Sequence, residues 1–275
     1  MKLGDPRMAY LVPEGGEVKL TDALADGNEL CPDGNKGNTL DLFNHLRDRI
    51  QTQQKVLYAQ NRHRVLLIIQ AMDTGGKDGV VKHVFSRVDP QGLRVQAFKK
   101  PTEEELARDF LWRVHPHVPR SGEIAIFNRS HYEDIIAVRV KKLYEDEVWK
   151  RRYRHVIEFE RMLAEEGTTI LKIFLHISKD EQKRRLEGRL ANPAKHWKFH
   201  PDDLEDRGRW PEFRRAYEDL IARTSTRYAP WYVIPANRKW YRNLCVARLM
   251  ADSLDDLDLK FPAPAWDANS IRIGD

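Results

Sequence analysis

Residues 64–79 read RVLLIIQAMDTGGKDG. The first part, Arg64 to Gln70, is a short β-branched apolar run without polar alternation, the pattern of a central strand buried on both faces. A glycine-rich turn follows, then a stretch of helical character from Lys77 to Arg87. Strand, glycine turn and helix in this order are the setting in which GxxxxGK[ST] cradles a phosphate. Backbone amides turn toward the anion, the helix presents its positive end, and the lysine adds a full charge. Gly76 and Lys77 fit that pattern, whereas Ala71 replaces the first glycine and Asp78 replaces the hydroxyl residue that normally ligates Mg²⁺. The candidate phosphate loop is therefore Asp73, Thr74, Gly75, Gly76, Lys77, Asp78 and Gly79. Asp73 and Asp78 are hard oxygen donors suited to Mg²⁺, directly or through water. Taken without its flanks, GGKDG reads equally well as a tight turn with an incidental lysine.

The remaining segments repeat the alternation. Leu93 to Phe98, EIAIFN at 123–128, TILKIFLHI at 169–177 and WYVIP at 231–235 read as strands. Helices are expected at Thr39 to Asn61, where Leu40, Phe43, Leu46, Ile50 and Val56 recur at helical intervals, and at Asp146 to Glu165 and Trp240 to Leu257. Two more should open with capping boxes, Thr102 with Glu105 on a helix reaching His115, and Ser178 with Glu181 on a basic helix. The expected fold is α/β, a five-stranded parallel sheet flanked by helices, with ligands at the carboxyl ends of the strands. Leu190 to Trp210, charged and broken by Pro193 and Pro201, sits where a mobile lid would sit. Residues 1–38, rich in Gly, Asp, Asn and Pro, read as an irregular arm, 39–260 as one domain, and 261–275 as a tail.

The composition excludes several classes. The 275 residues are 41% hydrophobic and 32% charged, which is globular rather than disordered. No apolar run approaches the roughly 18 residues of a membrane span. Cys31 and Cys245 are too few and too far apart for a disulfide framework or a zinc site, so a cytoplasmic location is expected. Lys plus Arg total 47 against 42 for Asp plus Glu, a net +5. The excess is concentrated between Lys183 and Arg215, with ten basic and six acidic residues, so that stretch would attract a polyanion.

A second polar cluster follows the EIAIFN strand, at Asn128-Arg129-Ser130-His131-Tyr132-Glu133-Asp134. Arg129 could clamp a transferring phosphoryl group and Glu133 could order a metal-bound water or the acceptor. A capped helix start beside a surface arginine is the plainer alternative. Together, AMDTGGKDG, PTEEELARDFLWRVH, FNRSHYED and KHWKFHPDDLEDRGRW resemble the type-2 polyphosphate kinase family over about 38–260. The resemblance implies a P-loop kinase fold like that of thymidylate kinase, with a helical lid. It implies reversible, Mg²⁺-dependent transfer of the terminal phosphoryl group of inorganic polyphosphate to nucleotides, forming ADP and ATP. Many members have aspartate where this chain has Asn128. Asn128 with Glu133 is similar to the subclass that phosphorylates both AMP and ADP.

By the same resemblance Asp73, Lys77, Arg129 and Glu133 carry the chemistry, with Asp73, Asn128 and Glu133 toward the metal. Arg185, Arg189, Lys195, Lys198 and Arg207 belong to the lid and polyphosphate channel. The family's habit of assembling implies a homo-oligomer. An ATP-dependent nucleoside monophosphate kinase would use the same loop, arginine and lid. A nucleic-acid-binding protein could use the basic stretch, but the chain lacks zinc-finger spacing and an RNP motif, so neither nucleic acid nor membrane is an expected partner.

Overall fold

The computed structural model describes residues 4–267 and 270–274, so the first three positions of the arm and positions 268, 269 and 275 of the tail lie outside the described residues. One sheet organises the molecule. Its strands are β1 (Leu11–Val12), β2 (Arg64–Ala71), β3 (Leu93–Gln96), β4 (Ile124–Asn128), β5 (Thr168–His176) and β6 (Trp231–Pro235), in the spatial order β1-β6-β5-β2-β4-β3. β2 to β6 are parallel, as expected, but β1 adds a sixth strand antiparallel to β6, making the sheet mixed. Two residues are too few to show periodicity, so β1 is invisible to pattern reading. The pairs Leu11 with Tyr232 and Val12 with Trp231 define it.

The segment before position 39 is more ordered than its composition suggests. It holds two single helical turns, Pro6–Ala9 capped by Asp5 and Asp22–Ala25 capped by Thr21, and Leu20, Leu30 and Cys31 sit in the core. β2 is deeply covered, with every residue from Val65 to Ala71 buried. Each fully buried Leu or Ile there contributes about 1.5–3 kcal/mol relative to exposure.

Among the described residues eight longer helices flank the sheet: α1 (Leu40–Gln60), α2 (Lys77–Val84), α3 (Glu133–Lys141), α4 (Asp146–Glu165), α5 (Lys179–Leu190), α6 (Asp202–Gly208), α7 (Trp210–Thr224) and α8 (Lys239–Asp255). α8 packs on α1 and α2, while α3, α4 and α7 pack on one another. The helix expected over Thr102 to His115 is confined to Glu103–Leu106. Its capping box forms, but the Asp109 carboxylate takes the Leu111 and Trp112 amides at 3.0 and 3.1 Å, turning the chain out of the helix. Leu190 to Trp210 contains a 3₁₀ turn, Pro193–Lys198, and α6 before it enters α7.

Strand succession steps from β2 to β3 and β4 on one flank, then to β5 and β6 on the other. That reversal leaves a crevice at the carboxyl ends of β2, β4 and β5, where ligands of such sheets bind.

Candidate active site

Between β2 and α2 the chain turns through two left-handed residues, Thr74 at φ 62° and Gly76 at φ 102°. A side chain at Gly76 would be strained by that backbone, and its Cβ would stand 1.9 Å from Arg242 Nη1. A β-branched residue at positive φ, as at Thr74, costs on the order of 1–3 kcal/mol. Thr74 Oγ1 is moreover buried with no hydrogen-bond partner among the described residues. Strain combined with an unsatisfied buried hydroxyl points to a ligand contact. The Val80 N–H donates to Gly76 O at 3.1 Å and starts α2, so the first amides of that helix face the loop without intrahelical acceptors.

Lys77 is buried in this turn, its Nζ donating to Ala71 O at 3.0 Å. Burial first, and then the neighbouring Arg129 charge, push its pKa down, while the acids Asp73, Glu133 and Asp78 oppose the shift. The lysine is thus a cation held ready in a site that penalises charge until an anion joins it.

The β2–β4 register aligns Ile69 with Asn128, so the loop after β4 opens beside the phosphate loop. Arg129 takes φ 67° there and its Nη2 lies 2.9 Å from Asp73 Oδ1. Asn128 Nδ2 donates to Asp78 Oδ1 at 2.9 Å. Glu133 opens α3, and the Gln70 amide, oriented by its hydrogen-bond network, donates to Glu133 Oε1 at 2.9 Å while accepting from Ser130 Oγ at 3.0 Å. Burial raises the Glu133 pKa against the pull of Arg129 and Lys77.

The cations expected near the lid divide by role. Lys198 reaches Asp78 of the phosphate loop at 3.1 Å. Arg185 donates to the carbonyls of Thr74 and Gly75 at 2.9 and 3.1 Å, fixing the loop from behind, and pairs with Glu181. Arg189 instead ties down the lid itself, through Lys198 O and Asp203. Arg207 turns to Lys179 O and Gln182 Oε1, and Gln182 in turn donates to Asp73 O at 3.2 Å. Lys195 is exposed. Trp210 is buried, whereas Trp197 is 78% exposed on the 3₁₀ turn.

Sequence reasoning missed several groups. Asp203 and Asp206 on α6 have raised pKa values, from burial first and with Asp73 as a further cause, so the lid brings its acids toward the loop. Nothing in DDLEDRG distinguishes them from a solvated face. Gln70 carried a usable signal, because it is a polar residue inside an otherwise apolar strand, whereas Arg242 lies on a helix with several other polar residues and did not stand out.

Among the described residues no three His, Cys, Asp or Glu side chains are grouped to hold a metal by themselves. Mg²⁺, however, is commonly held by one or two carboxylates together with substrate phosphates. Asp73, Glu133 and the orphaned Thr74 hydroxyl fit a cation completed in that way. Asn128 spends its amide hydrogen on Asp78 and leaves a neutral carbonyl oxygen.

A glycine loop with a buried lysine, at the carboxyl end of a central parallel strand and facing an arginine from the next strand end, defines a phosphotransferase of the P-loop kinase fold. The chain belongs to the polyphosphate kinase 2 family, whose model matches residues 36–262. It is 56% identical over 241 residues to the AMP/ADP-polyphosphate phosphotransferase of Meiothermus ruber, covering 88% of this chain and 90% of that one. It is 42% identical to the ADP-polyphosphate phosphotransferase of Rhodopseudomonas palustris, covering 78% of each chain. The crystal structure of polyphosphate kinase 2 from Arthrobacter aurescens superposes with a TM-score of 0.89 at 40% identity, over 98% of this chain and 96% of that one. Among the described residues no helix is long and apolar enough to cross a membrane.

Proposed function

We propose that this chain transfers the terminal phosphoryl group of inorganic polyphosphate to AMP and to ADP, forming ADP and ATP in a reversible reaction. The observation that carries the reading is the convergence of Lys77 and Arg129 with Asp73 and Glu133 at the ends of β2 and β4. The Meiothermus relative, named for both acceptors, supports the acceptor range.

Donor and acceptor are both polyanions, so the first barrier is their mutual repulsion. Lys77 and the α2 amides bind the donor phosphates, and Arg129 neutralises charge on the oxygens in flight. The acceptor is a phosphate oxygen already ionised near neutral pH. No strong base is needed, and positioning supplies much of the rate. Asp73 and Glu133, with Asn128 beside them, would hold Mg²⁺, which would offset phosphate charge. Residues 190–210 act as a lid that keeps water from the transferring group, with Lys198 and Asp78 joining lid to loop. A soluble, cytoplasmic enzyme that assembles from several copies is the form we expect.

The test is to incubate the purified protein with Mg²⁺, long-chain polyphosphate and either AMP or ADP, with ATP plus dTMP as the control. Chromatography should show ADP and ATP formed from both acceptors. Turnover of ADP alone overturns the acceptor range, and turnover only in the ATP control overturns the donor.

A further inference from the structure

Arg242 stands on the inner face of α8 with 2% of its surface exposed, and its guanidinium fills the space left bare by two glycines of the phosphate loop. A Cβ built on Gly76 would lie 1.9 Å from its Nη1, and one built on Gly79 would lie 2.9 Å from its Nη2. Arg185 converges on the same spot, its Nη1 3.5 Å from that Gly76 Cβ position. The two arginines are nonetheless unlike. The Arg185 charge is offset by Glu181, and its terminal nitrogens are taken by the carbonyls of Thr74, Gly75, Ala236 and Asn237.

Arg242 has no carboxylate among the described residues. Its Nε and Nη2 share one neutral acceptor, Asn243 Oδ1, at 3.1 and 2.8 Å, and its Nη1 donates to none. Burial, and then the like charge of Arg185, pull its pKa down to about 9. A buried guanidinium without a counter-charge destabilises the free protein, and the fold does not need one here, since a methionine would fill the same volume. The penalty is relieved when an anion reaches the loop.

We infer that Arg242 is a binding residue for the polyphosphate donor, its free Nη1 serving a phosphate held at Gly76. This rests on the polyphosphate-dependent activity proposed above. The donor rather than the nucleotide is indicated by the cations around it. Arg185, Arg242 and Lys195 all act on Lys239, with Glu181 opposing, and Arg242, Lys82, Arg47 and Lys36 act on His83 near the far end of α2, so positive charge continues along α8 and α2 beyond the loop. A row of that kind suits a chain of many phosphates.

The test compares Arg242→Met and Arg242→Lys with the wild type. KM for polyphosphate is measured at saturating ADP and KM for ADP at saturating polyphosphate. Thermal stability is read with and without inorganic tripolyphosphate. Losing one charge-assisted contact should raise the polyphosphate KM of Arg242→Met roughly tenfold or more, with Arg242→Lys between. KM for ADP should not move, stability without ligand should hold or rise, and stabilisation by tripolyphosphate should shrink. An unchanged polyphosphate KM overturns the inference. So does an equal rise in both KM values, or a fall in ligand-free stability with tripolyphosphate stabilisation intact, because a brace for the loop would behave that way. Should Arg242→Met not fold, wild-type polyphosphate KM in Arg242→Lys decides against the inference. A wild-type enzyme that turns over ATP but not polyphosphate fails at the donor assignment instead.

Discussion

Lys198, on the turn after α5, places its Nζ 3.1 Å from Asp78 Oδ2, and the other oxygen of that carboxylate receives Asn128 Nδ2 at 2.9 Å. Asp78 thus links three separate elements at the position where a phosphate loop ordinarily carries a hydroxyl. Because two-thirds of the Asp78 side chain is exposed, this link should be weak, as a latch that opens in each turnover would have to be. A double-mutant cycle of Lys198→Ala and Asp78→Asn, followed by thermal unfolding, should give a coupling of at most about 1 kcal/mol. A much larger value would mean a rigid strut instead of a latch.

In the proposed reaction Arg129 and Lys77 act on charge that develops during transfer, so their removal should fall on kcat. Lys77→Ala and Arg129→Ala are each expected to lower kcat roughly a hundredfold or more. Folding should be retained in Arg129→Ala, whose side chain is nearly half exposed. Steady-state rates with polyphosphate and ADP check this. A pure KM effect at Arg129 would reassign it to ground-state binding.

Beneath the strand ends lies a network with no solvent contact. Lys172 Nζ is bonded to Glu160 Oε2 at 2.6 Å, Tyr132 Oη at 3.0 Å and Thr224 O at 2.5 Å, and Glu160 Oε1 also receives Tyr132 Oη at 2.7 Å. Glu160→Leu would strand the lysine charge and cost about 3–5 kcal/mol in denaturant unfolding. Adding Lys172→Met should recover much of that loss, and a double variant as unstable as the single would refute the uncompensated-charge account.

His176 ties the end of β5 to the N-terminal segment, its Nε2 donating to Thr21 O at 2.7 Å. Burial is the main cause holding its pKa below the ordinary value, with the Thr21 bond opposing. The unfolded chain therefore binds the proton better. The contribution is complete above the unfolded value of about 6.5 and is lost as pH falls through the lower folded value. Stability of wild type minus that of His176→Gln should decline from neutrality toward acid. A flat difference would show that His176 does not titrate in this way.

The sequence made the central machinery readable where chemistry and periodicity coincide. RVLLIIQ followed by DTGGKDG announced β2, the loop and α2, because apolar continuity and glycine backbone needs are local properties. Lys77, Asp73, Arg129 and Glu133 stand out as candidates for the same reason, as charges next to a strand end. What stayed hidden depends on distant partners. β1 exists only through its pairing with Tyr232 and Trp231. Asp203 and Asp206 gain meaning only once the lid folds over Asp73, and Arg207 could not be told from a ligand-facing cation until it was seen bonded to Lys179 O and Gln182.

β1 has a consequence for how copies of this molecule can meet. By laying Leu11 and Val12 against β6, the chain shortens one flank of its sheet to a two-residue rim, while β3 leaves a four-residue rim on the other. Endless edge-to-edge growth requires two mutually receptive flanks. By occupying part of the β6 edge, the segment carrying Leu11 and Val12 works against that growth.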